Sequence, residues 1–219
     1  MLRGYTIPPM MAIRSATLVE TIAARGEAGA SPTARAVAVL FFAALTAAAA
    51  QISVPLPFTQ VPFTFQPTVV LLSGLVLGPR LGAASQALYL AAGVAGLPVF
   101  AASATLPPGA WRLLGPTAGY LLSYPLAAFV AGALARRGFD RRYFTSICAM
   151  ALGLLVIYTC GTLWLAYGTF GRTAIGLSGA VAAGVAPFVV ADVVKLAAAA
   201  GIVPGLWRLV GTEPRASQR

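Results

Sequence analysis

From Ala34 to Val210 the chain runs through one apolar stretch after another, interrupted only by short clusters of Pro, Gly, Thr and Arg. A helix crosses a hydrocarbon core of roughly 30 Å with about 20 largely apolar residues, satisfying its own backbone hydrogen bonds on the way. Segments of that kind are read at 34–53, 67–78, 81–98, 116–135, 144–167 and 187–209, the second being short. Only 9% of the 219 residues are charged, against roughly a quarter in soluble domains, so the chain cannot cover itself with polar surface. The expected fold is all-α, a six-helix membrane bundle over 34–210. A loose polar extension at 1–33 precedes it and a short tail at 211–219 follows it.

The formal charge of +10 would suggest nucleic acid in a soluble protein, but the basic residues sit between or outside the apolar segments, without a stripe of interleaved aromatics. With the N-terminus inside and the sides alternating, the inner side collects Arg3, Arg14, Arg25, Arg35, Arg80, Arg136, Arg137, Arg141, Arg142, Arg208, Arg215 and Arg219. The outer side receives Arg112 and Arg172. That asymmetry is the positive-inside pattern and predicts that both termini face the cytosol, with the chain embedded in membrane lipid. Nucleic-acid binding is excluded on the same ground. The chain has no histidine, and Glu20, Glu27, Asp140, Asp192 and Glu213 are scattered, which excludes a first-row metal site. Cys148 and Cys160, twelve residues apart, lie roughly 18 Å apart along one helix, so no disulfide follows.

Three interruptions are read as structured loops. Residues 54–66, V-P-L-P-F-T-Q-V-P-F-T-F-Q, hold three prolines and cannot be regular helix. Residues 99–115 carry Pro107, Pro108 and Gly109, and 168–186 are rich in glycine and alanine, with room for a short interfacial helix.

The strongest chemical signal is Asp192 with Lys195, the only lysine of the chain, inside the last apolar segment P-F-V-V-A-D-V-V-K-L-A-A-A-A. Insertion scales put a central Asp or Lys at about +2.5 to +3.5 kcal/mol, so such residues face a protein interior or a water-filled cavity. The i to i+3 spacing sets them about 60° apart on one helix face. A buried ion pair that only fixes helix packing is one explanation; a ligand site is the other. The second is favoured by the polar groups placed on the same outer side, Arg112 with Gln51, Thr59, Gln60, Thr64 and Gln66. Lys195 and Arg112 can hold a carboxylate, while Asp192 can accept from N–H donors. The implied ligand has an acid at one end and amide-like donors at the other. Phe58, Phe63, Phe65, Tyr89, Phe100, Trp111 and Tyr120 are candidate apolar walls, each with lipid-facing or interfacial anchoring as its alternative. In the first span Ala43 with Ala47 and Ala44 with Ala48 form a smooth stripe, open either to internal packing or to docking of a partner subunit.

Four runs, in order, resemble the BioY family of biotin-transport subunits: V-P-L-P-F-T-Q-V-P-F-T-F-Q-P-T-V-V-L-L-S-G-L-V-L-G-P-R-L-G-A, L-Y-L-A-A-G-V-A-G-L-P-V-F, L-L-G-P-T-A-G-Y-L-L and A-G-V-A-P-F-V-V-A-D-V-V-K. The resemblance implies a six-helix substrate-binding subunit of an energy-coupling factor (ECF) transporter in the cytoplasmic membrane. Such a subunit captures biotin from outside and works with a transmembrane scaffold subunit and two ATPases. It implies that Asp192 and Lys195, with Arg112 and polar loop groups such as Ser103, hold the vitamin's carboxylate and ureido ring. It also implies that the alanine stripe around Ala44 and Ala48 meets the scaffold subunit.

No cofactor is expected. The chain lacks the G-x-x-x-x-G-K-[ST] loop, so ATP must be used by partner subunits. A different small vitamin is the nearest alternative ligand. An intramembrane enzyme using Asp192 and Lys195 as acid and base is disfavoured by the lack of His and of a second carboxylate in a span. The sequence leaves open whether the chain acts alone, as a homo-oligomer or only with its energising module.

Overall fold

A computed structural model describes residues 17, 18, 21, 31–103, 106–168 and 175–211. Helix α1 (Pro32–Gln51) starts two residues before the apolar run, because Ser31 accepts the Ala34 amide at 3.1 Å and Pro32 occupies the first helical position. A serine cap and a proline at that position are the usual start of a helix. The proline-rich segment that follows is not helical. Its ends pair as a small antiparallel ladder of β1 (Ser53–Val54) and β2 (Phe63–Thr64), Ser53 facing Thr64 and Val54 facing Phe63.

Helices α2 (Gln66–Leu77) and α3 (Pro79–Val94) are joined by the single residue Gly78, whose φ of 79° a side chain would strain. At 12 and 16 residues they rise only about 18 and 24 Å. The third segment therefore ends earlier than the expected 98, where Gly96 turns the chain with a φ of 96°. A 3₁₀ turn at Ala110–Leu114 leads into α4 (Ala118–Ala135), and another at Phe139–Arg141 into α5 (Tyr143–Tyr167). The glycine-rich stretch holds α6 (Gly176–Gly184).

The last apolar segment, expected as one helix over 187–209, is two: α7 (Val189–Ala199) and α8 (Ile202–Gly211). Pro204 accounts for the break. It has no N–H for the carbonyl of Ala200, and its ring clashes with that carbonyl. Among the described residues, four stretches can cross a membrane by length and composition, namely α1, α4, α5 and the Val189–Val210 composite, with α2 a shorter apolar helix.

Helix α4 is the centre. Ala127, Ala128 and Ala131 are fully buried, so neighbouring backbones approach closely. Gly74 of α2 packs directly on the Ala128 carbonyl, and Gly132 faces the Gly78–Pro79 backbone. Helices α1, α2 and α3 are tied by a buried polar network. In it Thr46 donates to Gln86 Oε1 at 3.2 Å, and the Gln86 amide donates to Ser73 at 3.1 Å and Ser85 at 3.2 Å. Every member has a partner, the condition under which such a network stabilises a core. Large apolar side chains such as Phe41, Phe144, Leu155 and Val190 point outwards, as helices surrounded by lipid require.

At the end of the bundle away from the hairpin, the Trp207 indole of α8 donates to the buried Asp140 carboxylate at 2.6 Å, and the Arg141 guanidinium lies 3.5 Å over the indole ring. Within the segment expected as a loose extension, Thr17 and Leu18 are buried, and the Thr17 methyl rests against Gly78.

Candidate functional site: a charged cavity at the hairpin end

Asp192 lies in the first turn of α7, where the partial positive charge of the helix N-terminus favours a carboxylate. Lys195 follows one turn on, and its Nζ is 2.8 Å from Asp192 Oδ1. Both side chains are buried, so each charge needs compensation. Lys195 also donates to the Thr64 carbonyl of β2 at 2.8 Å and sits 3.5 Å from the centroid of the Phe63 ring. The second Asp192 oxygen, Oδ2, accepts from the Tyr158 hydroxyl of α5 at 2.6 Å.

A cavity of about 700 Å³ opens over this pair. That volume falls within the roughly 300–1,000 Å³ of small-molecule sites. Phe100, Leu121, Tyr124, Ile157 and Phe188 supply apolar wall, and the charged groups of the lining are Arg112, Asp192 and Lys195. Asp192 and Lys195 neutralise each other, which leaves Arg112, among the described residues, as the excess positive charge. The lining therefore suits a monoanion whose remainder is apolar with hydrogen-bonding groups.

The site residues named from sequence come together unequally. Gln66 lines the cavity and is 3% exposed, its amide donating to the Tyr89 hydroxyl at 2.7 Å. Tyr120 lines it as well and donates to the Gly184 carbonyl at 3.0 Å. Arg112 is aimed by its own loop, with Nη1 donating to Ala101 at 2.9 Å and Nε to Pro107 at 3.1 Å. Ser103 stands in the lining, exposed, and accepts from the Leu106 amide at 3.2 Å. Thr59 lines the same cavity and fastens the hairpin loop to α6 by donating to the Ala183 carbonyl at 2.7 Å.

Tyr89 is not among the residues that line the cavity. It stands one layer behind, fully buried between Phe100 at 5.5 Å and Tyr124 at 6.4 Å, and orients Gln66. Phe58 and Trp111 are exposed and form no part of the wall, and Phe63 lies under the Lys195 ammonium. Gln51 also stays outside, turned back to the Pro98 carbonyl at 3.3 Å. The alanine stripe divides. Ala43 is buried and Ala47 packs against the core, whereas Ala44 and Ala48 are exposed, so only the latter two are open to a partner. Arg172, counted on the outer side, lies outside the described residues, as do all the basic residues before Arg35.

Tyr158 escaped sequence reasoning although it caps Asp192. Its only local signal is a phenol within an otherwise apolar helix, and a phenol in that position as often packs or reaches an interface.

The model of the BioY family matches residues 19–212. The chain is 45% identical over 161 residues to a probable biotin transporter BioY of Pyrococcus horikoshii, covering 74% of this chain and 88% of the relative. It is 38% identical over 168 residues to the biotin transporter BioY of Thermotoga maritima, covering 77% and 92%. Among solved structures it resembles the S-component for biotin from an ECF-type ABC transporter, with a TM-score of 0.71 over 80% of this chain and 92% of that one. At 24% identity that likeness speaks for the fold. Four ordered sequence runs, a matched fold and relatives aligned over most of their length agree: the chain is a membrane protein belonging to the BioY family.

Proposed function

We propose that this chain is the substrate-binding subunit of a biotin uptake system. The observation that carries the reading is the charge arrangement of the cavity, a neutral Asp192–Lys195 pair in the wall with Arg112 as the excess cation. Biotin is complementary to it, with one carboxylate, an apolar middle and a ureido ring that both donates and accepts. Lys195 and Arg112 each already donate to two protein oxygens, but a guanidinium carries more N–H donors than an ammonium, so Arg112 is the better partner for the acid. The pair then receives the ureido ring, Lys195 facing its carbonyl and Asp192 its N–H groups. Gln66 and Ser103 add polar contacts, and Tyr120 adds wall.

The six apolar segments cross the cytoplasmic membrane with both termini cytosolic, residues 34–210 forming the membrane domain between an N-terminal extension and a short tail. The cavity then opens outwards and takes biotin from outside. The 54–66 and 99–115 loops close over it, and release inwards is driven by ATP hydrolysis on an ATPase pair coupled through a transmembrane scaffold subunit. Ala44 and Ala48, exposed on α1, are where that scaffold docks.

Calorimetric titration of the purified chain tests the reading, with biotin and a panel of other small vitamins as ligands. Saturable biotin binding that the others do not compete away supports it, and binding of another vitamin in its place moves the assignment.

A further inference from the structure

The two oxygens of Asp192 are held from different helices: Oδ1 by Lys195 on α7 itself at 2.8 Å, Oδ2 by Tyr158 on α5 at 2.6 Å. The terminal torsion of an Asp side chain is broad and roughly two-fold, so one anchor leaves the carboxylate free to turn. The two donors differ in kind. An ammonium has three rotatable donors on a flexible stem, and this one also serves the Thr64 carbonyl and the Phe63 ring. A phenol is rigid, with two side-chain torsions, and its hydroxyl position follows from where the ring is packed. Tyr158 is half-buried beside Ile157, and both line the cavity with Asp192.

We propose that Tyr158 is a positioning residue that fixes the plane of the Asp192 carboxylate, so that its remaining lone pairs meet the N–H donors of the ligand. The proposal rests on Asp192 being the acceptor for the ureido ring. Each carboxylate oxygen has acceptor capacity for a second donor, so Tyr158 and Lys195 leave room for the ligand while setting its direction. Tyr158 therefore governs discrimination between ligands that present N–H groups and ligands that do not. It adds little to the grip on the acid, which is the part of Arg112, or on the apolar chain.

Tyr158→Phe keeps the ring and removes the hydroxyl. The full-length chain is titrated with biotin and with an analogue in which one ureido nitrogen is replaced by oxygen. The expected result is a loss of biotin affinity of about ten- to a hundredfold, the range for a lost hydrogen bond to a charged group. The analogue is affected far less, so the preference for biotin narrows. Its retained affinity also shows that the variant cavity is folded. Unchanged biotin affinity, or an equal loss for both ligands, overturns the proposal, the latter because ring packing alone would then explain the residue. Asp192→Asn run in parallel separates the two levels. Biotin affinity surviving in that variant removes the acceptor reading itself, whereas loss there with no change in Tyr158→Phe removes only the tyrosine.

Discussion

The Lys195 ammonium donates at 2.8 Å to the main-chain carbonyl of Thr64, a residue 131 positions earlier in the chain. A charge on the last apolar segment is thereby locked to the hairpin that follows the first helix, and the cavity wall and its cation form one unit. Because the acceptor is a backbone atom, this link does not depend on the side chain at position 64.

Removing either charge leaves the other buried and uncompensated, which costs about 3–5 kcal/mol, whereas replacing both by apolar residues is often neutral. Lys195→Ala and Asp192→Asn are each expected to abolish high-affinity biotin binding in titrations of purified protein that remains folded in detergent. The double variant Asp192→Leu/Lys195→Met should unfold at a higher temperature than Lys195→Ala and still fail to bind. A double variant that binds biotin would show that the pair only holds the helices together.

Phe63 supplies the aromatic face under Lys195. Phe63→Leu keeps the volume roughly and loses the ring, at an expected cost of about 0.5–2 kcal/mol in biotin affinity. Phe63→Tyr should retain most of it. Equal affinities for the leucine and tyrosine variants in the same titration would exclude a role for the ring face.

Gly74 has no room for a side chain, because a Cβ there would press on the Ala128 carbonyl. Gly74→Ala is expected to lower stability by about 1–3 kcal/mol, the range for overpacking, read as a drop in the thermal midpoint in detergent. An unchanged midpoint would mean that α2 and α4 separate at little cost.

Burial pushes the Asp140 carboxyl above the usual carboxylate range, and the Trp207 donor and the Arg141 charge only partly offset that. For a raised folded value the contribution to stability is fully present in acid and falls as the pH rises from the ordinary Asp range towards the raised one. Trp207→Phe removes the donor to the ionised form and should destabilise the fold by about 1–3 kcal/mol near neutral pH. That difference should shrink on acidification, once Asp140 is protonated in both proteins. Thermal unfolding across the pH range reads it, and a difference that persists in acid would place the effect in lost indole packing.

Several boundaries are written locally in residues that an apolar run does not display. Ser31 and Pro32 carry the start of α1, yet the apolar run alone begins at Ala34, since a cap is polar by nature. Pro204 marks the break between α7 and α8, but an apolar run of 22 residues reads as one span when hydropathy is the guide. The alanine stripe shows the limit of pattern reading. Ala43 and Ala44 are equally small, and only the position of α3 beside α1 turns one inwards and leaves the other exposed.

By itself the sequence determined that this chain belongs in a membrane, since its few charges cannot cover its apolar surface. It also determined that Asp192 and Lys195 share a helix face, since 3.6 residues per turn puts i and i+3 side by side. Tertiary structure alone decided what meets those charges: Thr64 and Phe63 from the hairpin, Tyr158 from α5, and Tyr89 one layer back from the wall. Spacing within a helix is local geometry that a period in the sequence displays. A meeting of residues 34 and 131 positions apart depends on how whole helices pack and loops close, and no local period encodes that.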